Sequence, residues 1–178
     1  MTLKIHLGSG GQMLEGWQNH DLDVDIRQRL PWHDGVAGFV FAEHVIEHVT
    51  APHGMRFLGE CYRVLRAGGV LRIAFPDPVR VHCLPDEDVE TYAAGLTRSG
   101  IAATTRGDCV RSVVCCWKHQ SAWTLELALV FLQAAGFRDF RICAYGESAE
   151  PELRGIERHH VSVGKIARLE TSIVEAVR

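Results

Sequence analysis

The stretch Leu3-Lys4-Ile5-His6-Leu7-Gly8-Ser9-Gly10-Gly11 begins with a short, largely apolar run and ends in glycines. Such a run is typical of a strand that enters a tight turn. Glycine tolerates positive φ angles and lets the backbone approach a ligand closely, because no side chain intervenes. We therefore predict a first strand over residues 3–7 and a turn that is able to cradle a ligand. An ordinary turn has the same pattern, so the segments that follow must decide.

Further strands are predicted where apolar residues cluster. Two near-continuous apolar runs suit strands of a parallel sheet that is buried on both faces. Another predicted strand ends on acidic residues, too soon after the first strand for a full crossover helix to fit between them. The predicted strands are Trp17 to Leu22, Val36 to Ala42, Val70 to Phe75, Phe137 to Cys143 and Glu170 to Val177.

Two segments between these strands have helical periodicity. One carries Met55, Leu58, Cys61, Tyr62 and Leu65, at spacings of three and four, between Pro52 and the pair Gly68-Gly69. The other begins at Thr124, a favoured N-cap residue, and stops at Gly136. Alternating strands and helices predict an α/β fold with a mostly parallel sheet, in which ligands bind at the carboxyl ends of the strands. We expect functional residues just after positions 7, 22, 42 and 75.

Composition favours one globular domain over residues 1–178. The chain is 47% hydrophobic, its net charge is −3, and it has no long basic run, so we expect no nucleic-acid partner. No apolar run reaches membrane-spanning length, and the first glycines follow too soon for a secretory leader, so we expect a cytoplasmic protein without a membrane partner. The six cysteines form no C-x-x-C pair, and we expect reduced thiols.

Several segments, in the right order, resemble class I S-adenosylmethionine-dependent methyltransferases, above all their compact bacterial members. Leu7 to Gly10 is similar to the first motif of these enzymes, and Asp21-Leu22-Asp23 to the acidic end of their second strand. The remaining similar segments are Leu30 to Asp34 beside the adenine, Phe39 to Val49 at the methyl-transfer site, Cys61 to Leu71, and Leu132 to Phe137. Residues 80–120 match poorly.

The resemblance implies a single Rossmann-like, doubly wound sheet of about seven strands, mostly parallel, with an antiparallel C-terminal edge strand. It also implies S-adenosylmethionine as the cofactor. His6 stands where many relatives carry an acidic residue, and Glu43 is a candidate to replace that carboxylate beside the methionine ammonium. The cofactor-binding residues implied in this way are His6, Gly8, Ser9, Gly10, Gly11, Asp21, Asp23, Leu30 and Glu43.

Methyl transfer to a hydroxyl or amine needs a group that removes the acceptor's proton, and a histidine suits that task. The candidate catalytic residues are His48, His119 and Glu47, each of which has a purely structural alternative as a hydrogen-bonding or solvated side chain. Asp77, the tryptophans 117 and 123, and the polar segment with Arg154, Arg158, His159 and His160 are further candidates for the cleft. The alternatives for these are core packing and a solvated loop.

Two rival functions stay open. His44-Val45-Ile46-Glu47-His48 spells the H-x-x-E-H pattern of some zinc hydrolases, but that pattern belongs in a long helix, and here it directly follows an apolar strand and precedes Pro52. We therefore expect no metal. The favoured function is methyl transfer to a small acceptor, a glycan or metabolite hydroxyl or amine. The rival is a non-catalytic binding protein of the same fold, suggested by His6 and the short segment after the glycine turn.

Overall fold

A computed structural model of the protein describes residues 2–159 and 164–178. Its sheet has six strands among these residues, in the order β2-β1-β3-β4-β6-β5. β1, β2, β3 and β4 are parallel, and β6 runs antiparallel to both of its neighbours. The strands are β1 Leu3–Leu7, β2 Gln18–His20, β3 Ala37–Glu43, β4 Leu65–Pro76, β5 Arg138–Cys143 and β6 Thr171–Val177.

Helices pack against this sheet where the sequence predicted them. α1 carries Pro52 in its first turn and buries Phe57, Leu58 and Cys61. α5 begins at Thr124, whose hydroxyl accepts a hydrogen bond from the Leu127 N–H, and it ends at Gly136 with φ +108°. The helices are α1 Ala51–Val64, α2 Pro78–His82, α3 Asp86–Arg98, α4 Arg106–Cys115, α5 Leu125–Ala135 and α6 Ile166–Glu170, with 3-10 turns at Ile46–His48 and Pro151–Leu153.

The fold class is confirmed, with a difference in the position of the last strand. β6 is antiparallel, as predicted, but it lies between β4 and β5, and β5 is the edge strand. The burial pattern is consistent with this order, because six of the seven β6 residues are buried, whereas none of the six β5 residues is buried and four are exposed. The described residues form six strands instead of about seven, since residues 21–36 connect β2 to β3 without a strand.

The poorly matched residues 80–120 form a second, smaller core beside the sheet. Tyr92 and Leu96 of α3 pack with Cys109 and Val113 of α4 and with Ile166 of α6. This layer stands at the carboxyl ends of the parallel strands, because the chain leaves β4 there and returns to the sheet through α5 and β5. It therefore borders the edge at which ligands bind in such sheets.

A buried ion cluster fixes residues 144–159, the described part of the loop that follows β5. The Arg72 guanidinium, in β4, donates to Glu157 at 2.6 Å and to Glu175 at 2.5 Å. Glu157 also accepts the Gly146 N–H at 3.1 Å, so one carboxylate joins two points of the loop. The loop is thereby anchored to β4 and β6.

No helix within the described ranges combines the length and the apolar character that crossing a bilayer requires.

Candidate functional site

Two adjoining cavities open at the carboxyl ends of β1, β2 and β3. Their volumes are about 330 Å³ and about 390 Å³, and both are lined by Gly8, His44 and His48. The first also contains His6, Ser9, Gly10, Gly11, Gln12, Glu43, Trp117, His119, Arg158, His159, Ile166 and Glu170. The second also contains Asp21, Leu22, Val24, Asp25, Ile26, Arg27, Val45 and Val49. We call the first the histidine cavity and the second the aspartate cavity.

The glycine turn separates the two cavities, and its glycines are needed for different reasons. Gly8 has φ +70°, and a methyl group added there would collide with the side chain of Val45. Gly10 has φ +52°, and an added methyl group would meet open space. The turn is closed by the Ser9 N–H, which donates to the His20 carbonyl at 3.0 Å. The turn thus packs tightly on the protein side and leaves room on the ligand side.

His6 presents a hydrogen-bond acceptor at the position of the acidic residue in many relatives. The Asn19 amide nitrogen donates to the carbonyls of Leu14 and Trp17, so the Asn19 oxygen faces His6 Nδ1, at 2.9 Å. This network places the ring hydrogen on Nδ1. Burial lowers the pKa of His6, which favours the neutral ring. Nε2 is then the acceptor, on a ring that lines the histidine cavity.

Asp21 and Asp23 differ in what their carboxylates already bind. Asp23 accepts from His20 Nδ1 at 2.6 Å and from the Asp21 N–H at 2.8 Å, and these bonds hold its pKa below the usual value. The Asp21 carboxylate accepts no hydrogen bond within the part of the chain that the structure describes, and it lines the aspartate cavity. Of the two, Asp21 is the carboxylate that is available to a ligand.

Leu30 lies in the core and lines neither cavity. Its side chain is 1% exposed, and its N–H donates to Glu60 at 2.8 Å. The apolar lining of the aspartate cavity comes instead from Leu22, Val24 and Ile26. Sequence reasoning missed Val24 and Ile26, although their position just after the acidic strand end offered a signal.

Glu43 ends β3 inside the histidine cavity. Its carboxylate accepts the Arg158 N–H at 2.6 Å and the Tyr145 hydroxyl at 3.1 Å. Burial raises the pKa of this carboxyl, while the hydrogen bonds oppose the rise. Glu43 therefore links the loop held by Arg72 to the sheet, in addition to facing the cavity. Glu170 also lines the cavity, and no sequence motif marked it for the site.

The three predicted catalytic residues come together. His48 Nε2 lies 4.0 Å from Glu47 Oε1, and the His48 and His119 ring centroids are 5.0 Å apart. Glu47 is 1% exposed, and neither of its carboxylate oxygens has a hydrogen-bond partner among the described residues. Burial raises its pKa to about 7. A buried carboxylate without hydrogen bonds is costly and needs an explanation.

The segment that carries His119 is tied to the turn that carries Glu47. The Glu47 carbonyl accepts the N–H groups of Gln120 at 2.8 Å and Ser121 at 3.2 Å. The Gln120 side chain donates to the His48 carbonyl at 2.7 Å. Trp117 and Lys118 have φ values of +58° and +64°, a left-handed conformation that is uncommon outside glycine. These bonds hold His119 beside Glu47 despite the strained backbone.

The zinc-hydrolase geometry is absent from the H-x-x-E-H segment. Only Ile46–His48 is helical, as a single 3-10 turn, and His44 precedes it with φ +52°. The two histidines therefore do not share a helix face. His44 Nε2 hydrogen-bonds the Thr171 hydroxyl at 2.9 Å, and burial lowers its pKa to about 3.

The other predicted cleft residues divide between the cavity and the core. The prediction that Asp77 faces the cleft is wrong. Its carboxylate caps α2 and accepts hydrogen bonds from the Leu125 N–H and the Ser172 hydroxyl. Trp123 is fully buried in the main core, so its alternative interpretation is the correct one. Trp117, Arg158 and His159 do line the histidine cavity. Arg154 is exposed and lines neither cavity, and the prediction for His160 falls outside the described residues.

Comparison with known families gives a match to a model described as a methyltransferase domain, over residues 12–73. The match covers about a third of the chain and begins just after the glycine turn. A comparison with curated proteins finds no match.

Solved structures share the whole fold at low sequence identity. An S-adenosylmethionine-dependent methyltransferase from Archaeoglobus fulgidus aligns with 99% of this chain and 86% of its own, at a TM-score of 0.57 and 16% identity. One from Thermotoga maritima, described as a possible histamine N-methyltransferase, aligns with 99% of this chain and 82% of its own, at a TM-score of 0.53 and 14% identity. A possible exported protein from Bordetella parapertussis aligns with 96% of this chain, at a TM-score of 0.53 and 15% identity. This chain spans 47% of the length of that protein.

Proposed function

We propose that the protein is an S-adenosylmethionine-dependent methyltransferase. The match to a methyltransferase-domain model and the fold shared with solved structures of such enzymes support the proposal and confirm the resemblance seen in the sequence. The acceptor we propose is small, a glycan or metabolite hydroxyl or amine. One observation carries the proposal: the Gly8–Gly11 turn and the free Asp21 carboxylate follow adjacent parallel strands and line two cavities that adjoin at Gly8.

The residues present fit the cofactor. The space beside Gly10 and Gly11 allows close approach of a ligand to the backbone, and Asp21 offers carboxylate oxygens to ribose hydroxyls. Leu22, Val24 and Ile26 offer an apolar surface to the adenine. On the other side of Gly8, the Nε2 acceptor of His6 and the Glu43 carboxylate suit the methionine ammonium. The bound cofactor would supply a methyl group that its positively charged sulfur already activates.

The chain's own contribution to the reaction is to place the acceptor and remove its proton. His48 and His119 line the histidine cavity, and the buried Glu47 lies beside His48, on segments joined by hydrogen bonds to the backbone. Such fixed placement is a major source of rate acceleration. We propose that these three residues receive the acceptor and take its proton. A cytoplasmic location and the absence of a nucleic-acid partner complete the proposal, supported by six free thiols and a net charge of −3.

Calorimetry with S-adenosylmethionine and its demethylated product tests the proposal. We expect both to bind, and Asp21→Ala to weaken binding by about 1–3 kcal/mol, because a hydrogen-bonded charged group is lost. Asp23→Ala is the matched comparison, and its effect should be smaller, since its carboxylate is already engaged. If neither compound binds at millimolar concentration, the proposal fails. Binding without turnover over a panel of small acceptors would support the non-catalytic rival.

A further inference from the structure

The buried Glu47 carboxylate lies within a group of potential metal ligands. Glu47, His48 and His119 each offer one ligand atom, and these three atoms lie within 4.8 Å of one another. Both carboxylate oxygens of Glu47 are buried and have no hydrogen-bond partner in the described ranges. A cation bound between the three side chains would satisfy them. The basic groups near this carboxylate, among the described residues, are the His44 and His48 rings, whose nitrogens lie 3.4 Å and 4.0 Å from Glu47 Oε1.

His119 is oriented as a metal ligand would be. Its Nδ1 lies 2.6 Å from the Val113 carbonyl, which can only accept, so the ring hydrogen is on Nδ1. Nε2 then carries the free electron pair. Histidines that bind metals usually donate their other ring N–H to a carbonyl or carboxylate in this way, which fixes both the tautomer and the ring orientation.

The remaining ligand can adjust. Donor atoms at roughly 2.1 Å from a tetrahedral zinc ion lie roughly 3.4 Å from one another. The three candidate atoms lie within 4.8 Å of one another, so they must move closer together to bind the ion. The His48 side chain is 43% exposed, so solvent surrounds much of it, and a small rotation would bring Nε2 closer to Glu47. The backbone bonds from Gln120 and Ser121 to Glu47 meanwhile keep the other two ligands in register.

A second group, His44, His159 and Glu170, is less suited to a metal. His44 Nε2 is engaged by the Thr171 hydroxyl, and the Glu170 carboxylate accepts a hydrogen bond from the Tyr92 hydroxyl. An ion there would have to displace bonds that already exist. At Glu47 there are none to displace.

We propose that Glu47, His48 and His119 bind one divalent transition-metal ion, with zinc as the first choice. Two imidazoles and one carboxylate form the ligand set of several catalytic zinc sites, which keep a further position open. His48 and His119 line the histidine cavity, so the open position faces it. Resting on the proposed function, this site would take a hydroxyl-bearing acceptor. With the ion bound, coordination lowers the hydroxyl's pKa, and the released proton passes to solvent, so that the three side chains act as ligands and no longer as the proton acceptors.

Metal binding is tested on the full chain after treatment with a chelator. Zn²⁺ is titrated in competition with a chromophoric chelator, and Co²⁺ is added separately to record its visible ligand-field absorption. We expect one ion per chain, and a Co²⁺ spectrum typical of low coordination number. Glu47→Gln and His119→Gln should each weaken Zn²⁺ binding by roughly 100-fold or more. His33→Gln, an exposed histidine outside both cavities, should leave it unchanged.

Thermal unfolding separates ligand loss from misfolding. Glu47→Gln should leave the metal-free protein folded, since it removes a buried charge, and should abolish the rise in Tm that Zn²⁺ produces in the unaltered chain. Unaltered Zn²⁺ affinity in Glu47→Gln, or binding that is lost only in Glu170→Gln, would overturn the proposal. Calorimetry with the demethylated cofactor is independent of this result. Zinc without cofactor binding would defeat only the methyltransferase proposal, and cofactor without zinc would defeat only the metal site.

Discussion

Single side chains give the two cavities different hydrogen-bonding groups. His6 is the least expected of them, because a neutral ring offers an acceptor where the resemblance in sequence led us to expect an acidic residue. Its partner Asn19 is locked by two backbone carbonyls, and this fixes which ring nitrogen accepts. Hydrogen bonding can thus replace charge at this position, provided that the Asn19 network stays intact.

Replacing the ring acceptor should weaken recognition of the amino-acid part of the cofactor. His6→Phe keeps the aromatic stacking on Phe41, whose ring centroid is 5.0 Å away, but it removes Nε2. We expect binding of S-adenosylhomocysteine to weaken by about 1.5–3 kcal/mol, the usual contribution of a hydrogen bond to a charged group. Binding of 5′-methylthioadenosine, which lacks the amino acid, should not change. Calorimetry with the two compounds measures the difference.

An equal loss with both compounds would contradict this role and would indicate a general distortion of β1. His33→Phe serves as the control, because His33 is an exposed histidine outside both cavities.

At the scale of elements, residues 144–159, the described part of the loop that follows β5, depend on one arginine. Arg72 reaches Glu157 and Glu175, and the residue after Glu157 donates its N–H to Glu43 in the cleft. All three ionic side chains are at most 2% exposed. Removing a single member of such a cluster leaves an uncompensated buried charge.

Arg72→Ala should therefore lower the free energy of unfolding by about 3–5 kcal/mol. Urea denaturation measures the change. Arg66→Ala, at an exposed position of the same strand, should change it by less than about 0.5 kcal/mol. A loss below about 1 kcal/mol in Arg72→Ala would show that water replaces the guanidinium and that the cluster does not hold the loop.

At the scale of the whole molecule, the second core joins the sheet through a buried acid. Glu170 ends α6 and accepts a hydrogen bond from Tyr92 of α3. Its carboxylate lies 3.9 Å from His159 Nε2 and interacts electrostatically with Glu47. Burial raises its pKa to about 7. In the unfolded chain the pKa of a glutamate is about 4.3, so the folded state holds this proton more tightly.

The contribution of Glu170 to stability should consequently fall as the pH rises from about 4.3 to about 7, and it should not change further above that range. The slope from one carboxyl cannot exceed about 1.4 kcal/mol per pH unit. Glu170→Gln, which imitates the protonated acid, should flatten the profile of unfolding free energy against pH in this window. Glu90→Gln, at an exposed glutamate of α3, should leave the profile unchanged. Parallel profiles for the unaltered chain and Glu170→Gln would refute this assignment.

Much of this molecule follows from local sequence patterns. The glycine turn, the cap at Thr124, the stop at Gly136 and the paired Asp21 and Asp23 are short-range signals, and the structure has them where they were expected. Position within the sheet is a long-range property, so nothing near Thr171–Val177 revealed that this strand inserts between β4 and β5. The same limit explains Asp77, whose partners Leu125 and Ser172 are distant in the chain.

The two ends of the cleft come from different parts of the chain. The turn, the free aspartate and the apolar wall all lie within the first 27 residues, whereas His119 belongs to the segment that leaves the sheet after β4. Insertions or exchanges in residues 78–123 would therefore alter what the cleft accepts while leaving the sheet and the glycine turn untouched. This separation favours evolvability, because residues 78–123 can change in sequence while the residues that form the sheet and the glycine turn stay the same.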